Sequence, residues 1–359
     1  MDMSYYVPEF KISINGVKDD IIRNHVLSVQ IEEELQTPTK FSLVMMDEFD
    51  VTKNQFKWLD HKSLQPGNKI KITLGYVDHQ VPLLPEGEIK TITTSGFSQS
   101  DAPKITIVGY DLTHSWLTKS PEVPDGTTSV DINGSDVVNK IASEASMSVK
   151  IDSTTEYPTR VTKQSNSTYG AILKDRAKSI GYEFFVSRGT FYYINPRSRS
   201  TPKKTYEWGK HLIDFAPSLN TADLVTGVKV TSMPNDSKNK VEGEAQTGSE
   251  DTLESGQKPS QVASKIHGSR VKEINDGNFS SPEEATTKAK AELNIIGDIL
   301  VTGNGSVVGA PDLEIGQVIE LKKLGPKFSG KYFVTKLTNG ISGSGYITKF
   351  GVRKNVIGG

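Results

Sequence analysis

The sequence predicts a mainly β fold with an α+β insertion, and three observations carry that prediction. Apolar and polar residues alternate in short runs between turn signals across 8–110, two capped amphipathic helices and a hairpin follow within 131–208, and from Leu212 the alternation returns. A period of two marks half-buried strands, whereas a period of 3.6 marks helices packed by one face. The expected domains are 1–118, a first β unit; 119–212, a small α/β domain of two helices plus a hairpin; and 213–359, a second β unit carrying a mobile polar insertion at about 233–280.

In the first unit Phe10, Ile12 and Ile14 alternate with polar residues up to Asn15-Gly16, a two-residue hairpin signal. Strands are expected at 26–35, 40–46, 69–76, 87–94 and 104–110, and a short helix capped by Thr52 carries Phe56 and Leu59. That content makes a barrel or a sandwich.

In the α/β domain Ser135 precedes Val137, Val138, Ile141 and Ala145 at helical spacing. Ser167 likewise precedes Tyr169, Ile172, Leu173, Ala177 and Ile180, and Gly181 ends that helix. Strands at 183–187 and 190–194 turn about Arg188-Gly189. Phe184, Phe185, Phe191, Tyr192 and Tyr193 are expected in the core under the helices rather than as a base-stacking platform. The basic run Arg197, Arg199, Lys203 and Lys204 reads as a solvated linker.

Residues 224–231 alternate, and 233–265 are polar and poor in aromatics, a composition that buries too little to order itself. Ser281-Pro282-Glu283-Glu284 then combines a serine cap, a first-turn proline and a glutamate reaching back. Ala285, Ala289, Leu293 and Ile296 line one face of the helix that follows, which ends at Gly297. Strands are expected at 298–302, 305–309, 316–321, 330–337 and 345–353.

The first and last thirds align at their corners. Gln65-Pro66-Gly67-Asn68-Lys69-Ile70 stands against Glu314-Ile315-Gly316-Gln317-Val318-Ile319, and the glycine-led strand from Gly87 stands against that from Gly330. Internal duplication follows, giving two similar barrels with the α/β domain between them.

Little in the chain points to chemistry. The absence of cysteine rules out disulfides, thiolate zinc sites and cysteine nucleophiles, and fits folding in a reducing cytoplasm. With 42 basic and 43 acidic residues, no global charge steers the chain to nucleic acid or to an anionic membrane. The start MDMSYYVPEFKISI has no basic n-region or long apolar run, so no signal peptide is read, and no apolar cluster is long enough to span a bilayer.

Gly303, Gly305 and Gly309 miss the dinucleotide spacing by one residue and lead into Ala310-Pro311-Asp312, turn chemistry that makes a sheet corner rather than a phosphate loop. The histidines at 25, 61, 79, 114, 211 and 267 are isolated, and His211 with Asp214 reads as a surface pair rather than a catalytic dyad. Glu32, Glu33 and Glu34 point alternately to opposite faces, unlike a converging glycosidase pair. The loop 340–345 joins strand to strand and lacks the nucleophile-elbow pattern. No catalytic, metal or cofactor residue is expected, which favours a structural or assembly protein.

Three stretches carry a resemblance: the helix ending Ile180-Gly181-Tyr182 with its hairpin; Gly309-x-Pro311-x-Leu313-x-x-Gly316; and Phe328-Ser329-Gly330-x-Tyr332-x-Val334 followed by Gly345-Tyr346-x-Thr348-x-Phe350. In these the chain resembles the baseplate hub family of contractile tails, which includes the phage late control protein D group and the N-terminal part of the valine-glycine-repeat spike proteins of type VI secretion. The matching features are structural rather than catalytic.

The resemblance implies two tube-like β-barrels per chain and a homotrimer whose six barrels join a threefold spike to a sixfold tail tube. It implies a non-enzymatic role, with a spike protein, a tail tube protein and other baseplate proteins as partners, and with neither specific nucleic-acid binding nor stable membrane insertion. Assembly is expected in the bacterial cytoplasm, and residence in the baseplate of a phage tail or injection particle. Since the sequence ends at Gly359 without a β-helix repeat, the spike is expected to be a separate polypeptide. A cell-wall or glycan-binding module carried by the α/β domain is the alternative.

Overall fold

The computed structural model describes all residues except 1–6, 19, 96–102, 126, 154–155, 157, 163–166, 234–239, 276–278, 280 and 359. The first unit contains β1 (Pro8–Ile14), β2 (Val26–Glu34), β3 (Lys40–Met46), β4 (Lys69–Tyr76), β5 (His79–Thr94) and β6 (Lys104–Asp111). They pair antiparallel in the order β2-β3-β6-β5-β4-β1. Alternation puts Ile31, Phe41, Leu43, Ile70, Ile72 and Ile107 on the inner face, all fully buried.

The helix expected behind Thr52 does not form. The Asp50 carboxylate accepts from the N–H groups of Thr52 and Lys53, and Asp60 accepts from Phe56 N–H. Such side-chain acceptors offer the backbone a turn in place of the helical ladder. A two-residue strand, Gln55–Phe56, and a 3₁₀ turn, Lys62–Leu64, stand there instead.

The middle unit contains α1 (Gly134–Glu144), β7 (Ser148–Ile151), α2 (Tyr169–Ile180), β8 (Glu183–Ser187) and β9 (Thr190–Ile194). Strand β9 lies between parallel β7 and antiparallel β8. The caps differ from those expected by a residue or two. The Glu156 carboxylate accepts from Gly134 and Ser135 N–H at the start of α1, and Thr168 rather than Ser167 accepts from Ala171 N–H at the start of α2. All five hairpin aromatics are buried, so neither a stacking platform nor a sugar-stacking face is available on them.

The last unit contains β10 (Lys204–Glu207), β11 (Leu212–Leu219), β12 (Gly227–Ser232), β13 (Val241–Ala245), α3 (Pro259–His267), β14 (Val271–Asn275), α4 (Pro282–Gly297), β15 (Val301–Val308), β16 (Val318–Lys322), β17 (Gly330–Ser342) and β18 (Gly345–Lys354). The main sheet runs β11-β15-β18-β17-β16-β10. Residues 204–207, assigned by sequence to the α/β domain, pair instead with β16. Residues 301–308, expected as two strands, form one.

The insertion expected to be mobile is largely ordered. Strand β12 is flanked by β13 and β14, and α4 covers this small sheet through Val228, Val230, Val241, Ala285, Ala289 and Leu293. A Cβ on Gly243 would strike the α4 backbone, so helix and sheet are in direct contact. Averaged composition hid the strand because Glu242 and Glu244 face outward toward Lys229 while Val241 and Ala245 face inward. Residues 234–239, 276–278 and 280 of the expected insertion lie outside the described residues.

The two β units repeat each other in strand order and in the placing of two bulges. Strands β2, β3, β4, β5 and β6 occupy the same sheet positions as β11, β15, β16, β17 and β18. Both β2 and β11 carry a bulge, at Leu27 and at Ile213, and Ile31↔Phe41 in one sheet answers Pro217↔Gly303 in the other, four residues beyond each bulge. Both β5 and β17 carry a second bulge, at Lys90 and at Thr335. The first strands differ, because β1 joins β4 antiparallel and β10 joins β16 parallel.

A single strand fuses the units. Through Gly330–Phe333 β17 pairs with β16, and through Lys336–Ser342 it pairs antiparallel with β2, so one sheet continues across both.

Candidate functional site at the junction of the three units

The predicted signature residues shape the corners where the units meet. Gly67 N–H donates to Ile89 O (2.8 Å) and Ile89 N–H to Asn68 O (3.0 Å); Gly316 N–H donates to Val334 O (3.0 Å) and Val334 N–H to Gln317 O (2.9 Å). Both glycines have positive φ, +94° and +75°, a region L side chains avoid. The two corners are therefore one design used twice. Only Gly316 is also crowded, since a Cβ there would enter the Phe185 ring while one on Gly67 would meet nothing.

Gly309 is held on both sides. Its N–H donates to Tyr346 O (2.9 Å), its carbonyl accepts from Tyr76 Oη (2.8 Å), and a Cβ would fall inside the Tyr346 ring. Tyr346 Oη in turn donates to buried Asn339 (3.0 Å). From the hairpin turn, Arg188 reaches the same corner, donating to Pro311 O (2.6 Å) and pairing with Glu314 (3.0 Å). Leu313 lies buried beneath it. This contact ties the α/β unit to the second β unit, while His79 Nε2 lies 2.7 Å from Asp312 and ties in the first.

The remaining signature positions serve the packing. Gly181, at φ +74°, ends α2 against Ala291 of α4, and Arg197 donates to its carbonyl (3.2 Å). Buried Tyr182 donates to Ser153 O (3.1 Å). Gly330 leaves room for the Glu254 carboxylate, Tyr332 donates to Phe328 O (2.7 Å), and Gly345 turns β17 into β18 at φ +103°.

Sequence reasoning missed the ionic part of the junction. Arg197, expected in a solvated linker, pairs with Asp298 at 2.6 Å and is almost wholly buried. Arg353 joins the same Asp298 (3.1 Å) and Glu183 (2.9 Å), and Gln36 donates to Glu183 (2.9 Å). Buried carboxylates and guanidinium groups of this kind must be matched to be tolerated. Beside them lies a cavity of about 760 Å³ whose wall also includes Lys174 and Lys178.

Glu33 was also missed as a junction residue. Its carboxyl is buried, its Oε1 has no hydrogen-bond partner, and burial pushes its pKa up to about 7. Neighbouring Glu314 and Asp111 act in the same direction, against the opposing pull of Ser187 and Arg188. The signal was present: in an alternating strand one of three consecutive glutamates has to face inward.

The candidate dyad His211 and Asp214 is not formed. His211 Nδ1 accepts from Glu207 N–H (3.2 Å), and Asp214 accepts from the Ser306 hydroxyl across the sheet. No group of three His, Asp or Glu residues suited to a metal occurs among the described residues. No helix among them is long and apolar enough to cross a membrane.

At one end of the main sheet, the side of β11 facing away from β15 has no strand paired to it among the described residues beyond the bridge from Trp208 to Leu212.

Repeated sheets and matching corners define a duplicated β scaffold. The chain belongs to the family described as the Alg8 N-terminal domain, whose model matches residues 5–343. Its fold matches the 43 kDa tail protein of prophage MuSo2 from Shewanella oneidensis, with TM-score 0.71 and 13% identity over 96% of this chain and 98% of that one. It also matches a tail protein from Neisseria meningitidis, with TM-score 0.67 and 14% identity over 97% of each chain. A third match is an E. coli component of the type VI secretion system, with TM-score 0.57 and 12% identity over 96% of this chain and 76% of that one. At these identities the likeness is one of fold. No curated protein matches the sequence.

Proposed function

We propose that this chain is the structural baseplate hub of a contractile phage tail or phage-like injection system, a homotrimer that adapts a threefold spike to a sixfold tail tube. The observation that carries the reading is the repeated register of the two β units. A chain presenting the same unit twice lets three copies offer six near-equivalent surfaces on one side while keeping threefold symmetry on the other. Fold neighbours among tail proteins and a type VI component support it. The late control protein D group is the branch that the signature residues favour.

In this reading the work is mechanical, with spike, tube and other baseplate proteins as partners. Domain limits fall near 118, where Leu117 packs into the α/β core, and near 203, ahead of β10. Assembly takes place in the bacterial cytoplasm and residence is in the baseplate. The test is co-expression with the spike and tube proteins of the same gene cluster, followed by mass measurement of the complex. A species with three copies of this chain, bound to both, is expected; a chain that stays monomeric and co-purifies with neither overturns the reading.

A further inference from the structure

We propose that the cavity between α2 and the main sheet of the second β unit is a docking trough for an extended segment of a partner protein in which acidic and apolar residues alternate. The inference goes beyond the hub reading and does not use the number of copies. It begins with a helix face that nothing covers among the described residues. Ala171, Lys174, Asp175 and Lys178 recur at helical spacing on α2, all are exposed, and all line the cavity. The other face of α2 carries Ile172, Leu173 and Ala177 into the α/β core. One face of the helix is therefore packed, and the other borders a space of about 760 Å³.

Charge selects the occupant. At the base of the cavity Glu183 and Asp298 are matched by Arg353 and Arg197, and Asp175 is paired with Arg176. Lys174 and Lys178 have no ion-pair partner among the described residues. Glu292, whose charge acts on Lys178, is already bonded to Lys272 (2.7 Å). Arg353 makes both of its ionic contacts through Nη2, leaving Nη1 for a bound group. The cavity thus has an excess of positive charge and fits carboxylates.

Spacing selects their order. Residues four apart on a helix are separated by about 6 Å along its axis, and alternate side chains of an extended chain by about 6.7 Å. Lys174 and Lys178 therefore match two carboxylates that flank one intervening residue. Such a segment turns its intervening side chains the opposite way, and Ile295, Ile299 and Val352 supply an apolar wall there. The trough is also open-ended, as a length of chain requires. It adjoins a hollow of about 370 Å³ over Asn304 and Gly351 and another of about 310 Å³ behind Arg197. In the first of these Lys349 is offset by Asp214, so the positive excess stays beside α2. Nucleic acid fits less well, because Tyr182, the aromatic residue of the wall, is buried and offers no base-stacking surface.

Fluorescence anisotropy of the full-length chain tests the assignment. The probe is a labelled hexapeptide of alternating leucine and glutamate, compared with one of alternating leucine and lysine and with one that has its leucines and glutamates in separate blocks. Saturable binding is expected for the alternating acidic peptide alone. Lys174→Glu with Lys178→Glu is expected to weaken it by about tenfold or more. Lys11→Glu with Lys18→Glu, the same charge change at exposed positions of the first unit, is expected to leave it unchanged. Ala171→Trp fills the cavity from an exposed position, without entering the core, and is expected to weaken binding as well.

No binding of the alternating acidic peptide, equal binding of either comparison peptide, or equal loss in the two charge-reversed pairs overturns the trough. Displacement of the probe by single-stranded DNA, or by self-association of the chain, assigns the cavity to another occupant and also overturns it. A trimer that carries spike and tube but binds no acidic peptide overturns the trough and leaves the hub intact. A chain that binds the peptide but stays monomeric and co-purifies with neither spike nor tube keeps the trough and removes the hub.

Discussion

Glu33 makes stability depend on pH in a direction opposite to most carboxylates. Its pKa rises from 4.5 when exposed to about 7 when folded, because burial penalises the charge. Its stabilising contribution is therefore complete below pH 4.5 and is lost as pH rises through 7, by about 3 kcal/mol in all. Glu33→Gln is expected to raise the thermal midpoint at pH 8 and to leave it nearly unchanged at pH 4.5, a difference scanning calorimetry at the two pH values reads. The paired glycines offer a second test. Gly67→Ala meets only backbone strain, costing about 1 kcal/mol, whereas Gly316→Ala adds a collision with Phe185, for a total of about 2–4 kcal/mol. Urea midpoints of the two variants should fall in that order.

Among the elements, strands were more legible than the joints between them. Period-two runs disclosed nearly every strand of the main sheet because one face of each is buried and the other is not. The exceptions have local causes. Asp50 and Asp60 divert the Thr52 segment into turns. The helix α4 supplies the apolar surface that orders β13, and a reading confined to 233–265 could not see it. Arg197 looked like linker because its partner Asp298 is 101 residues away. Of the junction residues, the signature glycines and tyrosines were legible through fixed spacing, and Arg188, Glu33 and Arg353 were not, since their roles depend on contacts between units. Asp298→Ala leaves two buried guanidinium groups short of a partner and is expected to cost about 3–5 kcal/mol in chemical denaturation. At the start of α4, Ser281→Ala removes a cap to Glu284 N–H (3.2 Å) and is expected to cost about 1 kcal/mol.

At the scale of the whole molecule, duplication was visible first as two similar corners and is supported by matching bulges in matching strands. Thin identity hid its extent, because hydrogen-bond register constrains backbone spacing far more than side-chain identity. The first strand escapes the repeat, with β1 antiparallel and β10 parallel to its neighbour, so the two units offer different outer edges.

The strand shared by both units also has a mechanical meaning. Because β17 is continuous from Gly330 to Ser342, rotating one unit against the other would require shearing several backbone hydrogen bonds at once rather than bending a loop. Torque applied at one end of the molecule is therefore delivered to the other with little lost to hinge motion. Amides of Lys336–Ser342 should accordingly exchange with solvent as slowly as those of the two cores, and rapid exchange there would reveal a hinge. A part that passes a sudden push from one neighbour to the next benefits from having no soft coupling along its length.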